Sequence, residues 1–327
     1  MVDCVRVSLG TAIALGLEQG PNLSHFTTLF IMTHSETGCT ANCAFCPQAI
    51  DSDTQPGMLS RIGWPKFDSH TFMDAANSNL DKFQRICIQC LNYPEVVHDC
   101  LDIISMLEGP KPPISVCIHP VSKQDMVRLH DAGVERIGIA MDACTPELFE
   151  KIKGNQRTPK YSWTAHMKAL RNAVDIWGSQ SVTTHLIVGL GETEKEASDF
   201  LFQAKDMGIT VGLFAFTSIQ GTALENLPQP DIGKYRRIQI LRHLISLGEI
   251  EQKDISFTEE RLNFDIPNGR LVELISNGSP FRVSGCPGCN RPYYNERPSG
   301  PLYNYPRPLD RKEVIGALKQ AGLVNHN

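Results

Sequence analysis

Six short runs dense in β-branched and apolar residues recur along the chain: TTLFIM (27–32), RICIQC (85–90), ISVCI (114–118), ERIGIAM (135–141), SVTTHLIVG (181–189) and ITVGLFAF (209–216). Longer helical patterns separate them: PEVVHDCLDIISMLE, SKQDMVRLHDAG, YSWTAHMKALRNAVDIWG and TEKEASDFLFQAKDMG. Gly133, Gly178 and Gly208 close three of these patterns, as expected at helix C-termini. Strand–helix alternation of this length predicts parallel βαβ units, arranged as an open sheet or a barrel. The opening MVDCVRVSLGTAIALGLEQG reads as an amphipathic helix. After about residue 277 the composition shifts to Pro, Gly, Asn and Tyr without either period, so an irregular segment is expected there. RKEVIGALKQAG then predicts a short amphipathic helix.

Composition narrows the class. The 327 residues suit one barrel-type domain with appendages, and 41% hydrophobic with 20% charged residues is ordinary for an enzyme with a sizeable core. A net charge of -5 argues against a nucleic-acid protein held by phosphate contacts. No stretch reaches the length of a membrane span. Asp3 and Glu18 break the first apolar run, and no small-residue cleavage site follows, so a cytoplasmic protein is expected. Seven of the eleven cysteines are clustered, three at 39–46, two at 87 and 90, and two at 286 and 289, and four stand alone. In a chain this large, such clustering predicts metal ligation in a reducing compartment.

The stretch ETGCTANCAFCPQA places Cys39, Cys43 and Cys46 within eight residues. Thiolates are the ligands of zinc and of iron–sulfur clusters. A structural zinc site normally takes four protein ligands, and His34 is available to complete one here. Three thiolates on a cubane cluster instead leave one iron open. The C-x3-C-x2-C spacing directly after the first strand resembles the signature of the radical SAM superfamily, and Phe45 matches the aromatic that the family carries before its third cysteine. HLIVGLGET (185–193) resembles the family's fifth-strand motif, with Ile187, Gly189 and Glu192 matching and His185 standing where most relatives have glycine. Taken alone, that segment is an ordinary Gly-rich βα turn. Asp142 falls where biotin synthase has a carboxylate near the cofactor ribose, and QGTALEN (220–226) resembles the segment after its sixth strand. The resemblance therefore runs from about residue 27 to 226.

This resemblance implies an α/β fold: a partial or complete (β/α) TIM-type barrel over 27–277, a helical extension at 1–26, and a cysteine-containing irregular extension at 278–327. It implies a [4Fe–4S] cluster on Cys39, Cys43 and Cys46 whose open iron binds S-adenosylmethionine. Phe45, Asp142, Ile187, Gly189 and Glu192 are then expected to seat that cofactor. The family cleaves it to a 5′-deoxyadenosyl radical that removes hydrogen from an unactivated C–H bond. The site is expected at the C-terminal ends of the strands.

The remaining cysteines bear on what meets the radical. Biotin synthase holds a second, sulfur-donating cluster with cysteines of strands two, three and five. Cys87 and Cys117 match the first two positions, but Thr183 stands at the third, so a biotin-synthase site is incomplete here. Cys90, Cys286 and Cys289 are further candidate ligands. Strand cysteines are equally at home as small buried hydrophobes, and Cys4, Cys100 and Cys144 read as packing. The CPGC turn is shaped to point both thiols at one metal, as zinc or as part of a second [4Fe–4S] cluster. The tail GCPGCNRPYYNERPSGPLYNYPRP and the opening VSLGTAIALGL are similar to the two-component lipoyl synthases of archaea and some bacteria, with the tail wrapped over the barrel mouth. The N-terminal cysteine motif and serine ligand of single-chain lipoyl synthases are missing: Cys4 is isolated and the nearest tail serine is Ser299. The implied activity is sulfur insertion into an octanoyl chain on a lipoyl-carrier protein. The implied partners are that carrier, a paralogous radical SAM subunit and a reducing electron donor. Arg291, Arg297 and Arg307 are candidates to face an acidic carrier. The alternatives are a radical SAM mutase or C–C bond enzyme of the methylornithine synthase type, and a biotin-synthase-like sulfurtransferase acting on another substrate.

Overall fold

The computed structural model describes residues 2–21, 26–55, 57–296 and 299–324. Six parallel strands follow one another in space as they do in sequence: β1 (Thr28–Met32), β2 (Arg85–Gln89), β3 (Ile114–Cys117), β4 (Val134–Gly138), β5 (Val182–Val188) and β6 (Ile209–Ala215). Their side chains are mostly buried, because helices cover a parallel sheet wherever its strands are joined by crossovers. The crossovers are α1 (Ser69–Asn77), α2 (Val96–Ser105), α3 (Lys123–Asp131), α4 (Pro146–Ile152) with α5 (Trp163–Trp177), and α6 (Glu194–Asp206). Side chains cap their starts: Ser122 Oγ accepts from the Asp125 amide, and Thr193 forms a capping box with Glu196. The sheet is open, so the barrel is partial. At the β6 edge, Leu213 N donates to Ser284 Oγ (2.8 Å) and Arg242 Nε donates to the Val211 carbonyl (3.2 Å). Both bonds satisfy backbone groups that an exposed edge would leave unpaired.

Two stretches differ from the sequence-based expectation. Residues 4–7 form not a helix but a strand, Cys4–Val7, which pairs antiparallel with β1 and with Lys66–Asp68. Val5 and Val7 are buried while Arg6 is not, a period of two that the four residues CVRV carry within the longer apolar run. A short helix follows at Leu9–Ala14, so the described part of 1–26 is built into the sheet rather than appended as a helix. The second difference is α7 (Ile232–Leu247), which no apolar period announced. Its buried face carries Arg236, Arg237 and Gln239. Arg236 and Gln239 bind the Tyr303 carbonyl (2.6 and 2.9 Å), and Arg237 pairs with Glu194. Polar groups bury in this way only when partnered; Arg236 and Gln239 dock the tail, and Arg237 fastens α7 to α6.

The tail runs a longer course than a wrap over the mouth. Val283 N bonds the Tyr305 carbonyl, and the CPGC turn then descends to the N-terminal ends of β1 and β2. There Thr27 Oγ1 donates to Gly288 O (2.6 Å) and Arg85 Nε donates to Pro287 O (2.6 Å). The chain then climbs back to the mouth, where Tyr294 and Asn295 carbonyls accept from Ser60 and Thr217. After a further helix α8 (Asn268–Ile275) earlier in the tail's approach, the expected amphipathic helix forms α9 (Arg311–Ala321). Among the described residues no helix is long and apolar enough to cross a membrane.

Candidate active site

Two adjoining cavities, of about 200 and 170 Å³, occupy the concave side of the sheet and share Phe45, Cys46, Gln89, Cys117, Asp142 and His185 as walls. Cys39, Cys43 and Cys46 border the smaller one, at the C-terminal ends of the strands. Their loop is held from both sides: Ala44 N bonds the Ile152 carbonyl (2.8 Å), Thr40 N bonds Asn92 O (2.7 Å), and Arg157 binds Asn42 through Nε and Nη2. Asn92 N also donates to Cys39 Sγ (3.4 Å). Burial pushes the Cys43 thiol up to about 11, against the opposing pull of Lys153, and raises Cys46 as well. Buried thiols of this kind become thiolates when a cation arrives to compensate the charge. All eleven cysteines are free. His34 Nε2 is engaged with Glu36 (3.1 Å) and borders neither cavity, so it stands apart from the three cysteines.

The larger cavity collects Cys87 from β2, Cys117 from the end of β3, and Cys286 and Cys289 from the tail. The neighbouring Cys87 and Cys117 thiols act on each other so that Cys87 is raised and Cys117 lowered; His185 Nε2, 4.0 Å from Cys117 Sγ, adds to the lowering. Gln89 Nε2 donates to Cys87 Sγ (3.0 Å) and Ser115 Oγ donates to Cys286 Sγ (3.5 Å). Thr183 lines the same cavity. Cys90 does not join this set: it borders the smaller cavity, and the neighbouring Cys100 together with burial raises its thiol. Ser299 is exposed and lines neither cavity.

Of the residues expected to seat a nucleoside, Phe45 and Ile187 pack together with Phe216, Leu190 and Leu224 in an apolar group at the mouth. Asp142 borders both cavities in a left-handed conformation (φ 63°), which aspartate tolerates better than most residues. Its amide bonds His185 O and its carbonyl accepts from Ile187 N (both 2.9 Å). Gly189 and Glu192 lie elsewhere. Glu192 is buried beneath the turn, accepts from the Gly189 and Leu190 amides (2.9 and 3.0 Å), and pairs with Lys234 (2.7 Å). It shapes the turn and faces neither cavity. Arg291 also points inward, its guanidinium 3.9 Å from the centroid of the Phe214 ring, rather than outward to a partner. Arg307 is paired with Glu313, and Arg297 lies outside the described residues.

Sequence reasoning missed Lys153, His119, Tyr161 and Trp64. Lys153 Nζ sits 2.8 Å from Asp142 Oδ2 at the smaller cavity. In EKIKGNQR it is one charge among several, and nothing local distinguishes it. His119 Nδ1 and Trp64 Nε1 are buried without a protein partner on the walls of the smaller and larger cavity respectively. Such orphaned polar atoms fit a pocket whose ligand supplies the missing bonds.

The Radical SAM superfamily profile matches residues 36–204. The chain belongs to the radical SAM superfamily. A biotin synthase of Hydrogenobaculum sp. (strain Y04AAS1) is 22% identical over 203 residues, 60% of this chain and 57% of the relative. Another, of Acetivibrio thermocellus, is 24% identical over 243 residues, 68% and 72% of the two chains. The chain thus spans little more than half the length of the first of these relatives. Among solved structures, the hydrogenase maturase HydG of Carboxydothermus hydrogenoformans superposes with a TM-score of 0.53 at 16% identity, covering 73% of this chain and 56% of that one. Methylornithine synthase superposes with 0.50 at 15%, covering 66% and 63%. At such identities the superpositions establish the fold alone.

Proposed function

We propose that this chain is a radical SAM sulfur-insertion enzyme, one subunit of a split lipoyl synthase. Its substrate would be an octanoyl chain on a lipoyl-carrier protein. The observation that carries the reading is the convergence of Cys87, Cys117, Cys286 and Cys289 on a cavity that shares walls with the one bordered by Cys39, Cys43 and Cys46. The donor chemistry suits the groups: three free thiols at the smaller cavity would leave one iron of a [4Fe–4S] cluster open, and four free thiols at the larger one would serve a second cluster. When bound, the first cluster with S-adenosylmethionine supplies a radical able to remove hydrogen from a C–H bond, and the second supplies sulfur.

The protein's own residues then do four things. Phe45, Ile187 and Leu224 offer an apolar seat for the nucleoside at the mouth, with Asp142 beside it. Phe30, Trp64, Phe214 and Phe216 give the larger cavity walls that exclude water and accept a saturated chain, at about 25 cal/mol per Å² of apolar surface buried. Gln89 and Ser115 donate to sulfur, the kind of contact that tunes a cluster's potential. Because the two cavities share Cys46, Asp142 and His185 as a wall, clusters held in them would be neighbours, and a carbon chain reaching past that wall would come between them. The carrier would present its acyl arm at the mouth. A paralogous radical SAM subunit and an external electron donor complete the proposed system.

Sulfur insertion by a biotin-synthase-like route on another substrate is the second reading, favoured by the sequence relatives. A mutase leaves the inward-turned CPGC cysteines without a task. The test is anaerobic reconstitution of the wild type and of Cys286→Ala/Cys289→Ala, followed by assay with octanoylated carrier, S-adenosylmethionine, dithionite and the paralogous chain. The wild type is expected to hold about eight irons and the variant about four. Sulfur should appear in the carrier by mass spectrometry only with the wild type. About four irons in both, with S-adenosylmethionine still cleaved, overturns sulfur insertion. About eight irons with S-adenosylmethionine cleaved but no sulfur entering the carrier selects the second reading.

A further inference from the structure

Lys153 is the C-cap of α4, and only 4% of its side chain is exposed. A buried ammonium is costly unless it is paired and hydrogen-bonded. Lys153 Nζ has Asp142 Oδ2 and the Ala140 carbonyl, each at 2.8 Å, and the Tyr161 ring with its centroid 5.0 Å away. The pair stands on the wall of the cavity that Cys39, Cys43 and Cys46 border. Arg157, the other cation acting on Cys43, is committed to Asn42 and does not border that cavity.

We propose that Lys153 and Asp142 act in opposition on the reduction potential of the cluster held by Cys39, Cys43 and Cys46, with Lys153 raising it and Asp142 lowering it. This rests on the assignment of those cysteines as the cluster's ligands. Reduction adds one electron, supplied by an external one-electron reductant, to a cluster already carrying three thiolates; no bond forms or breaks and no proton moves. The added negative charge is stabilised by a nearby ammonium and opposed by a nearby carboxylate. In a water-poor cavity neither effect is screened as it is at a surface. Lys153 and Asp142 are in this respect positioning residues that act on the cluster through the field. Because they are paired, the two contributions largely cancel, and either one alone is unmasked by removing the other.

The test is a dithionite redox titration of the reconstituted full-length protein without S-adenosylmethionine, followed by EPR of the reduced cluster. It compares wild type, Lys153→Met, Lys153→Arg, Asp142→Asn and Asp142→Asn/Lys153→Met, all on a background lacking Cys286 and Cys289 so that one cluster is read. Lys153→Met is expected to shift the midpoint to more negative potential, Asp142→Asn to less negative potential, and the double variant to return close to wild type. Lys153→Arg should stay near wild type. If Lys153→Met fails to retain iron, the double variant against Asp142→Asn measures the effect of Lys153 without leaving the carboxylate unpaired. Single variants that keep wild-type iron but shift in the same direction, or do not shift, overturn the proposal. A cluster that persists when Cys39, Cys43 and Cys46 are all replaced by alanine overturns instead the ligand assignment beneath it.

Discussion

Arg85, at the foot of β2 and 3% exposed, donates from Nε to the Pro287 carbonyl at 2.6 Å and from Nη1 to Ser115 Oγ at 2.8 Å. Glu135 balances its charge at 2.8 Å. One guanidinium thus ties the CPGC turn to three strands, and Ser115 passes the contact on to Cys286 Sγ. The planar fork of arginine is what allows it. Arg85→Met is expected to lower reconstituted iron by about four per chain while cleavage of S-adenosylmethionine continues, read by iron analysis and by 5′-deoxyadenosine release. Arg85→Lys, which keeps the charge and loses the fork, should fall between.

Gly138 ends β4 on the wall of the smaller cavity. A Cβ placed there would lie 2.9 Å from both Cys117 Sγ and Thr183 Oγ1. Neither side chain is long enough to yield cheaply. Gly138→Ala is expected to cost about 1–3 kcal/mol in urea unfolding of the cluster-free chain. It should also weaken iron retention at the larger cavity more than at the smaller.

Glu192 holds its turn through two amides and Lys234 with its side chain fully buried. Glu192→Gln leaves the Lys234 ammonium without its counter-charge, for an expected loss of about 3 kcal/mol. Because the turn follows directly on Ile187, the affinity for S-adenosylmethionine should drop as well, measured by equilibrium dialysis. Glu192→Asp, which keeps the charge but shortens the reach, should lose less stability than Gln.

His166 is buried, with Nδ1 donating to the Ser162 carbonyl at 3.0 Å. Burial, with Lys153 adding to it, holds the imidazole well below its ordinary value of 6.5. Above that value both folded and unfolded chains carry a neutral ring. As the pH falls below it, the unfolded chain takes up a proton that the folded chain does not, so stability is lost. The slope of unfolding free energy against pH between about 6.5 and 4.5 should be shallower in His166→Gln than in the wild type.

The sequence by itself determined what short-range spacing can fix. Six apolar runs between glycine-closed helices gave the parallel strands and their order, since consecutive βαβ units pack side by side. Cys39, Cys43 and Cys46 were legible because eight residues of one loop hold them together whatever the rest of the chain does. The tertiary structure decided everything that depends on distant segments meeting. Register across β2 and β3 sets Gln89 opposite Cys117, and the bond of Arg85 to Pro287, 202 positions away in sequence, brings the tail cysteines to Cys87. The burial of α7 rests on polar partners from the tail, at Tyr303, and from α6, at Glu194, so its sequence carried no apolar stripe. In a linear reading Lys153 is one charge among several, Arg291 a candidate to face a carrier, and Glu192 a candidate to seat the cofactor. Which of them faces a cavity, and which lies beneath a turn, follows from the partner that offsets each one's burial, and those partners come from other elements of the fold.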